Sequence, residues 1–166
     1  MWLYKKVEVV EENNHFYSKD GALFEGDALI YYPAADTDET YKIPNDVLEV
    51  GVYAFSRNPY LKKVYFSNDI ITIKYRAFYD CKNLKEVRLS NNLTDIDEYV
   101  FVYCEKLAVV IPKSVKNIGE HSFFGCERLY VYESSGVLGE LESGFLNADY
   151  TIINEQIDET TSIQID

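Results

Sequence analysis

The sequence predicts a solenoid of short parallel strands, and three observations carry that prediction: a period of 22–23 residues, a fixed set of apolar positions within it, and an alternating run after each copy's Leu. Each copy opens on Pro or Ser, with aliphatic residues at +3 and +6, a small residue and Phe at +10 and +11, Cys or Asn at +14, and Leu at +17. The first copy reads Pro44, Val47, Val50, Ala54, Phe55, Asn58, Leu61, and the second Ser67, Ile70, Ile73, Ala77, Phe78, Cys81, Leu84. The third reads Ser90, Leu93, Ile96, Val100, Phe101, Cys104, Leu107, and the fourth Pro112, Val115, Ile118, Ser122, Phe123, Cys126, Leu129. A unit this short cannot bury its own apolar face, so it must stack on its neighbours.

The elements follow in chain order. Tyr4, Val7 and Val9 fit the repeat's strand pattern, which predicts half of a first coil. Residues 20–24 and 27–33 read as two strands joined by Glu25-Gly26, a hairpin signal, and residues 34–40 as an acidic polar loop. After each Leu comes a strand: Val64, Phe66, Val87, Leu89, Val109, Ile111 and Val131 are expected inward. Lys63, Tyr65, Glu86, Arg88, Val110, Tyr130 and Tyr132 are then expected outward. The second half-repeat begins as another short extended run, whose apolar residues three apart suit a tight corner more than a flat strand, and Ala-Phe or Ser-Phe should then start a single helical or 3₁₀ turn. Phe55, Phe78, Phe101 and Phe123 should form a buried aromatic ladder. Gly51 and Gly119 share a slot with Lys74 and Asp97, so that slot should not need a positive φ. The domain reading is a solenoid over residues 1–132, comprising a variant coil with hairpin (1–42) and four repeats (43–132), then an acidic C-terminal cap and tail over 133–166.

Charge and cysteines limit the function. Of the formal charge of −12, eight negatives lie after Arg128, where no Lys or Arg follows. Such a surface repels phosphate backbones and anionic membranes, which argues against nucleic-acid partners, and permits a basic protein partner. No apolar run reaches the roughly 20 residues of a membrane span, so no membrane insertion is expected. The N-terminus has no secretory-signal pattern. That predicts a cytoplasmic protein if Met1 is the native start, and a surface or secreted one if the chain is trimmed from a longer precursor. Cys81, Cys104 and Cys126 recur with the period, as packing thiols do, and do not pair as a disulfide framework would. Only His15 and His121 are present, without a CxxC, and neither Asp36-Thr37-Asp38 nor Asp95-Ile96-Asp97 completes a calcium loop. No metal site, cofactor or catalytic residue is therefore expected. His121 shares a varying surface slot with Tyr53, Arg76 and Tyr99, and Ser122 fills the small-residue slot of Ala54 and Ala77.

The run Pro-x-x-Val-x-x-Ile-Gly-x-x-Ser-Phe-x-x-Cys-x-x-Leu at 112–129, its three sister copies and the leader from Asn14 to Pro44 resemble the BspA-like, or Treponema pallidum-type, leucine-rich repeat. That resemblance covers residues 14–132. It implies a leucine-rich-repeat solenoid, α/β or mainly β, wound as a right-handed superhelix. It also implies a non-catalytic protein-interaction module akin to surface adhesins and receptors of oral and gut bacteria and of some protozoan parasites. The expected binding face is the outward strand stripe of Lys63, Tyr65, Glu86, Arg88, Val110, Tyr130 and Tyr132, rich in the Tyr and Arg that dominate binding energy. The alternatives are a spacer or terminal fragment of a larger surface protein, and a small cytoplasmic immunity-type protein that neutralises a basic partner through its acidic surface.

Overall fold

Strands of two to five residues stack into two sheets in the computed structural model, which describes residues 5–10, 13–126, 128–132 and 150–153. In chain order they are Phe16–Lys19 (β1), Ala22–Glu25 (β2), Ala28–Tyr31 (β3), Thr40–Lys42 (β4), Glu49–Val50 (β5), Lys63–Tyr65 (β6) and Thr72–Ile73 (β7). They continue as Glu86–Arg88 (β8), Asp95–Ile96 (β9), Ala108–Ile111 (β10), Asn117–Ile118 (β11), Arg128–Tyr132 (β12) and Tyr150–Ile153 (β13). One sheet runs β1-β2-β3-β5-β7-β9-β11 and the other β4-β6-β8-β10-β12-β13. All pairings are parallel except those within the hairpin region β1-β2-β3. Among the described residues there is no helix, so the solenoid is mainly β. The second sheet runs past residue 132, because β13 pairs with β12. The rest of the stretch expected to cap the array lies outside the described residues.

The predicted inward residues line the core. Val64, Val87, Val109 and Ile111 are buried, while Phe66 and Leu89 are half-buried and pack against it. Val131's side chain lies outside the described residues. The four Phe rings are fully buried and stacked nearly parallel, with centroids 4.7, 5.1 and 5.3 Å apart from Phe55 to Phe123. Tyr32 extends the ladder below Phe55 at 5.3 Å.

Three expectations need correction. The corner in the second half-repeat is a set of two-residue strands, β5, β7, β9 and β11, paired in register one coil apart. The helical turn after them is a run of β-turns. Tyr53, Arg76, Tyr99 and His121 have φ of 54–59°, and Arg57, Asp80 and Tyr103 φ of 57–60°, which a right-handed helix cannot contain. Between them the N–H groups divide their work. Ala54, Ser56 and Asn58 close turns onto Gly51, Tyr53 and Phe55, while Tyr53, Phe55 and Arg57 donate to Tyr75, Ala77 and Tyr79 of the next coil. The turn segment thus becomes a third ladder along the stack. Thirdly, residues 5–10 form no strand. Val7 N–H donates to Gly21 O, and Val9 N–H to the Ser18 hydroxyl.

Gly51 and Gly119 avoid positive φ, in keeping with Lys74 and Asp97 in the same slot. They are needed for space. A Cβ on Gly119 would lie 2.4 Å from Glu98 N, and one on Gly51 would lie 2.8 Å from Leu29 O. In the leader, the predicted hairpin is β2-β3, with Gly26 at φ 57°. A further strand, β1, turns into β2 through Asp20-Gly21, both at positive φ.

The three thiols are free and buried, and each has a polar task. Cys81 Sγ, Cys104 Sγ and Cys126 Sγ donate to the carbonyls of Phe55, Phe78 and Phe101 in the preceding coil, at 3.1, 3.1 and 3.4 Å. Burial, and for Cys104 the neighbouring Cys81, pushes the Cys104 and Cys126 thiols well up. Burial first, then nearby carboxylates such as Asp36, raises Tyr32, and burial also raises Tyr41. These groups are neutral when protonated, so their contribution to stability is complete below the unfolded thiol value of about 8.5 and is lost as pH climbs toward the folded values. Thermal melts should therefore show a midpoint that falls from about pH 9 and more steeply past about pH 10, where unfolded tyrosines ionise. A flat midpoint to pH 10.5 would contradict this account.

Candidate interaction surface

Parallel, in-register pairing sets Lys63 beside Glu86 and Tyr65 beside Arg88 on the outer face of the second sheet. Glu86 joins both cations: Lys63 Nζ lies 3.1 Å from Glu86 Oε2, and Arg88 Nε 2.8 Å from Oε1. The Arg88 guanidinium also sits 5.0 Å from the Tyr65 ring centroid. Partial burial works against the Glu86 carboxylate, but the bonds from Arg88 and Lys63 outweigh it and hold its pKa below the ordinary value. Val110 and Tyr130 are half-buried and face each other across β10 and β12. Tyr132 stands opposite Ile153, with its side chain outside the described residues. Four of the seven predicted residues thus form one network, whose charges largely satisfy one another.

A second surface lies over the turn ladder, and the sequence reading treated part of it as a varying slot. Tyr53, Arg76, Tyr99 and His121 occupy the left-handed position of successive coils, so their side chains stack along the array. Tyr75 meets Tyr53 and Tyr99 edge-on at 5.9 Å, and His121 lies flat on Tyr99 at 5.4 Å. Arg76 is caged by rings. Its guanidinium is 4.9, 5.2 and 5.3 Å from the centroids of Tyr75, Tyr79 and Tyr99, and Nη1 donates to the Tyr53 hydroxyl. Arg57 lies over Tyr79 at 5.7 Å, and Tyr103 packs edge-on against Tyr79 and Phe124. The sequence carried no signal of it, because Tyr, Arg, Tyr and His are not the residues that mark a left-handed backbone, which favours Gly or Asn.

Beside this surface a shallow cleft of about 400 Å³ is lined by Tyr75, Asp95, Asp97, Glu98, Asn117 and Gly119. Hydrogen bonds from Thr94 and Asn117 hold the Asp95 carboxyl below its ordinary range. His121 Nδ1 lies 3.4 Å from Glu120 Oε1, and Ser122's hydroxyl is spent on the carbonyls of Asp97 and Gly119. Both surfaces can offer rings, guanidiniums and carboxylates to a large partner.

Comparison with known proteins agrees with this architecture. A sequence model of the BspA type leucine rich repeat region, itself built of six copies, matches residues 37–156. The second sheet has six strands over nearly the same span, and the solenoid of about four turns expected from the sequence lies within it. No curated protein matches the chain. Among solved structures it is similar to the pneumococcal vaccine antigen PcpA, with 32% identity and a TM-score of 0.77 over 92% of this chain and 40% of that one. It is also similar to a leucine rich cell surface protein from Faecalibacterium prausnitzii, with 26% identity and a TM-score of 0.73 over 87% of this chain and 40% of that one. A Treponema pallidum leucine rich repeat protein shares the fold, at 18% identity and a TM-score of 0.56 over 90% of this chain and 84% of that one. The chain thus spans about 40% of the length of the first two.

Proposed function

The chain belongs to the BspA-type leucine-rich repeat family, and from that premise we propose that it is a non-catalytic protein-interaction module of an adhesin-type protein at a bacterial or protozoan surface. The observation that carries the reading is the rigid outer face of the second sheet, where in-register strands hold Lys63, Tyr65, Glu86 and Arg88 in one network. A preorganised face loses little side-chain entropy on binding. The similarity to a vaccine antigen and to a cell surface protein supports the surface setting. Two segments go with it, the solenoid expected over 1–132 and an acidic segment over 133–166, into which the second sheet continues as β13 and whose charge favours a basic protein partner.

The test is affinity capture from host-tissue and bacterial extracts, read by mass spectrometry. It compares the chain with a variant carrying Tyr65→Ala, Arg88→Ala, Tyr130→Ala and Tyr132→Ala. Arg88 is exposed, and surface ion pairs contribute about 0–1 kcal/mol, so its loss should barely affect the fold. A partner held by the chain and lost by the folded variant is the expected result. Retention by both would move binding off this face, and retention by neither would favour the spacer reading.

A further inference from the structure

We propose that the turn face is a second, separate docking surface, and that its occupant is an acidic segment of a partner protein held by Arg57 and Arg76. The argument starts from charge pairing. Lys63 and Arg88 of the strand face pair with Glu86, and Lys62 pairs with Glu39, Lys74 with Glu49 and Lys82 with Asp80. Arg57 and Arg76 have none among the described residues, in a chain with 28 acidic and 16 basic residues. Exposed lysines such as Lys85 and Lys116 also lack one, but these two arginines are packed against the turn face. Their neighbours are instead tyrosine rings.

The cage fixes the Arg76 guanidinium before any ligand arrives. Nη1 is held by the Tyr53 hydroxyl, three rings surround the group, and Nε is buried without an acceptor. Glu98 lies in the next coil, where its carbonyl accepts the Arg76 N–H, yet its carboxylate does not pair with the guanidinium. A planar fork held this way suits a carboxylate, which it can engage through two parallel N–H bonds, and its rings suit apolar side chains beside that carboxylate. The backbone points the same way. Bulky side chains at positive φ are held in place by the ladder, and strain kept at a surface of large polar residues is a mark of function. Net charge does not forbid an acidic partner. With eight of the twelve net negatives after Arg128, residues 1–128 carry only −4, and exposed charges more than about 8 Å away are largely screened at physiological salt.

The probe is a fluorescein-labelled random copolymer of glutamate and tyrosine, titrated against the whole chain and followed by anisotropy. The double variant Arg57→Gln/Arg76→Gln should weaken binding at least tenfold, whereas Lys106→Gln/Lys116→Gln, which removes the same charge at exposed sites, should change it less than twofold. Because Arg76 is packed among rings, a second measurement uses the unaltered chain: bound copolymer should shield Arg57 and Arg76 from phenylglyoxal and leave Arg88 reactive. No binding at millimolar copolymer, equal loss in both double variants, or shielding of Arg88 alone would overturn the proposal. So would stronger competition per charge by dextran sulfate than by unlabelled copolymer, since the face would then be a general polyanion site. The strand-face variant leaves Arg57 and Arg76 intact, so failure of either surface is read independently of the other.

Discussion

Replacing Phe101 by Ala is expected to remove about 3–5 kcal/mol of folding stability, the usual effect of deleting a fully buried aromatic ring. Phe101 is 0% exposed and stacks on Phe78 at 5.1 Å and on Phe123 at 5.3 Å. Its removal therefore opens two coil-to-coil interfaces at once. In a repeat array stability is approximately the sum of units and nearest-neighbour interfaces, so a break in the middle also divides the stack. Urea unfolding should show the lost free energy together with a broadened transition, as the coils before and after the gap cease to unfold as one. Phe101→Leu, which refills most of the volume, should recover much of the loss. A change below about 1 kcal/mol in the Ala variant would mean that the backbone ladders, and not the rings, hold the coils together.

The features legible in the sequence are those in which a side chain's burial is the whole requirement. Phe55, Phe78, Phe101 and Phe123 recur at fixed spacing because each has only the neighbouring coil to hide against, and the strand-face alternation reports which of Val64 and Tyr65 is inside. The first sheet was legible only as its hairpin and as short extended runs, for a reason of length. A strand of two residues, such as Thr72–Ile73, is too short to show a period of two, so Ile70 and Ile73 read as a corner. The turn ladder was hidden because its left-handed positions carry Tyr, Arg and His, while the sequence signals for such backbone are Gly and Asn. The leader was legible only as a variant coil because it lacks the Phe and Cys that mark the repeats: where the repeats place Phe78 and Phe101, the first rung has Tyr41 against Phe55. Of the candidate sites, the strand stripe followed from alternation alone, whereas the caged arginine depends on three coils meeting and leaves no local pattern.

The second large effect is expected at Asn58, where the sequence departs from its own pattern of cysteines. The side chain is fully buried and makes three hydrogen bonds: Nδ2 donates to Pro33 O at 3.3 Å, and Oδ1 accepts from the N–H groups of Tyr60 and Leu61, both at 2.9 Å. The first of these is the task that Cys81 and Cys104 perform for Phe55 O and Phe78 O. The other two belong to this coil. In the sister copies the backbone closes the turn, with Leu84 N–H donating to Cys81 O and Leu107 N–H to Cys104 O. Here Pro59 follows, and the carboxamide takes over the turn, as Asn does for backbone donors two and three residues on. Asn58→Ala strands one carbonyl and two N–H groups, of which buried members cost about 1–3 kcal/mol each, so a loss of about 3 kcal/mol is expected in urea unfolding. Asn58→Cys should restore the donor to Pro33 and leave the turn unsatisfied, so it should fall between Ala and Asn. Full recovery by Cys would show that the slot needs only a donor toward the preceding coil. A loss as large as that of Ala would place the whole requirement in the turn that Asn58 closes.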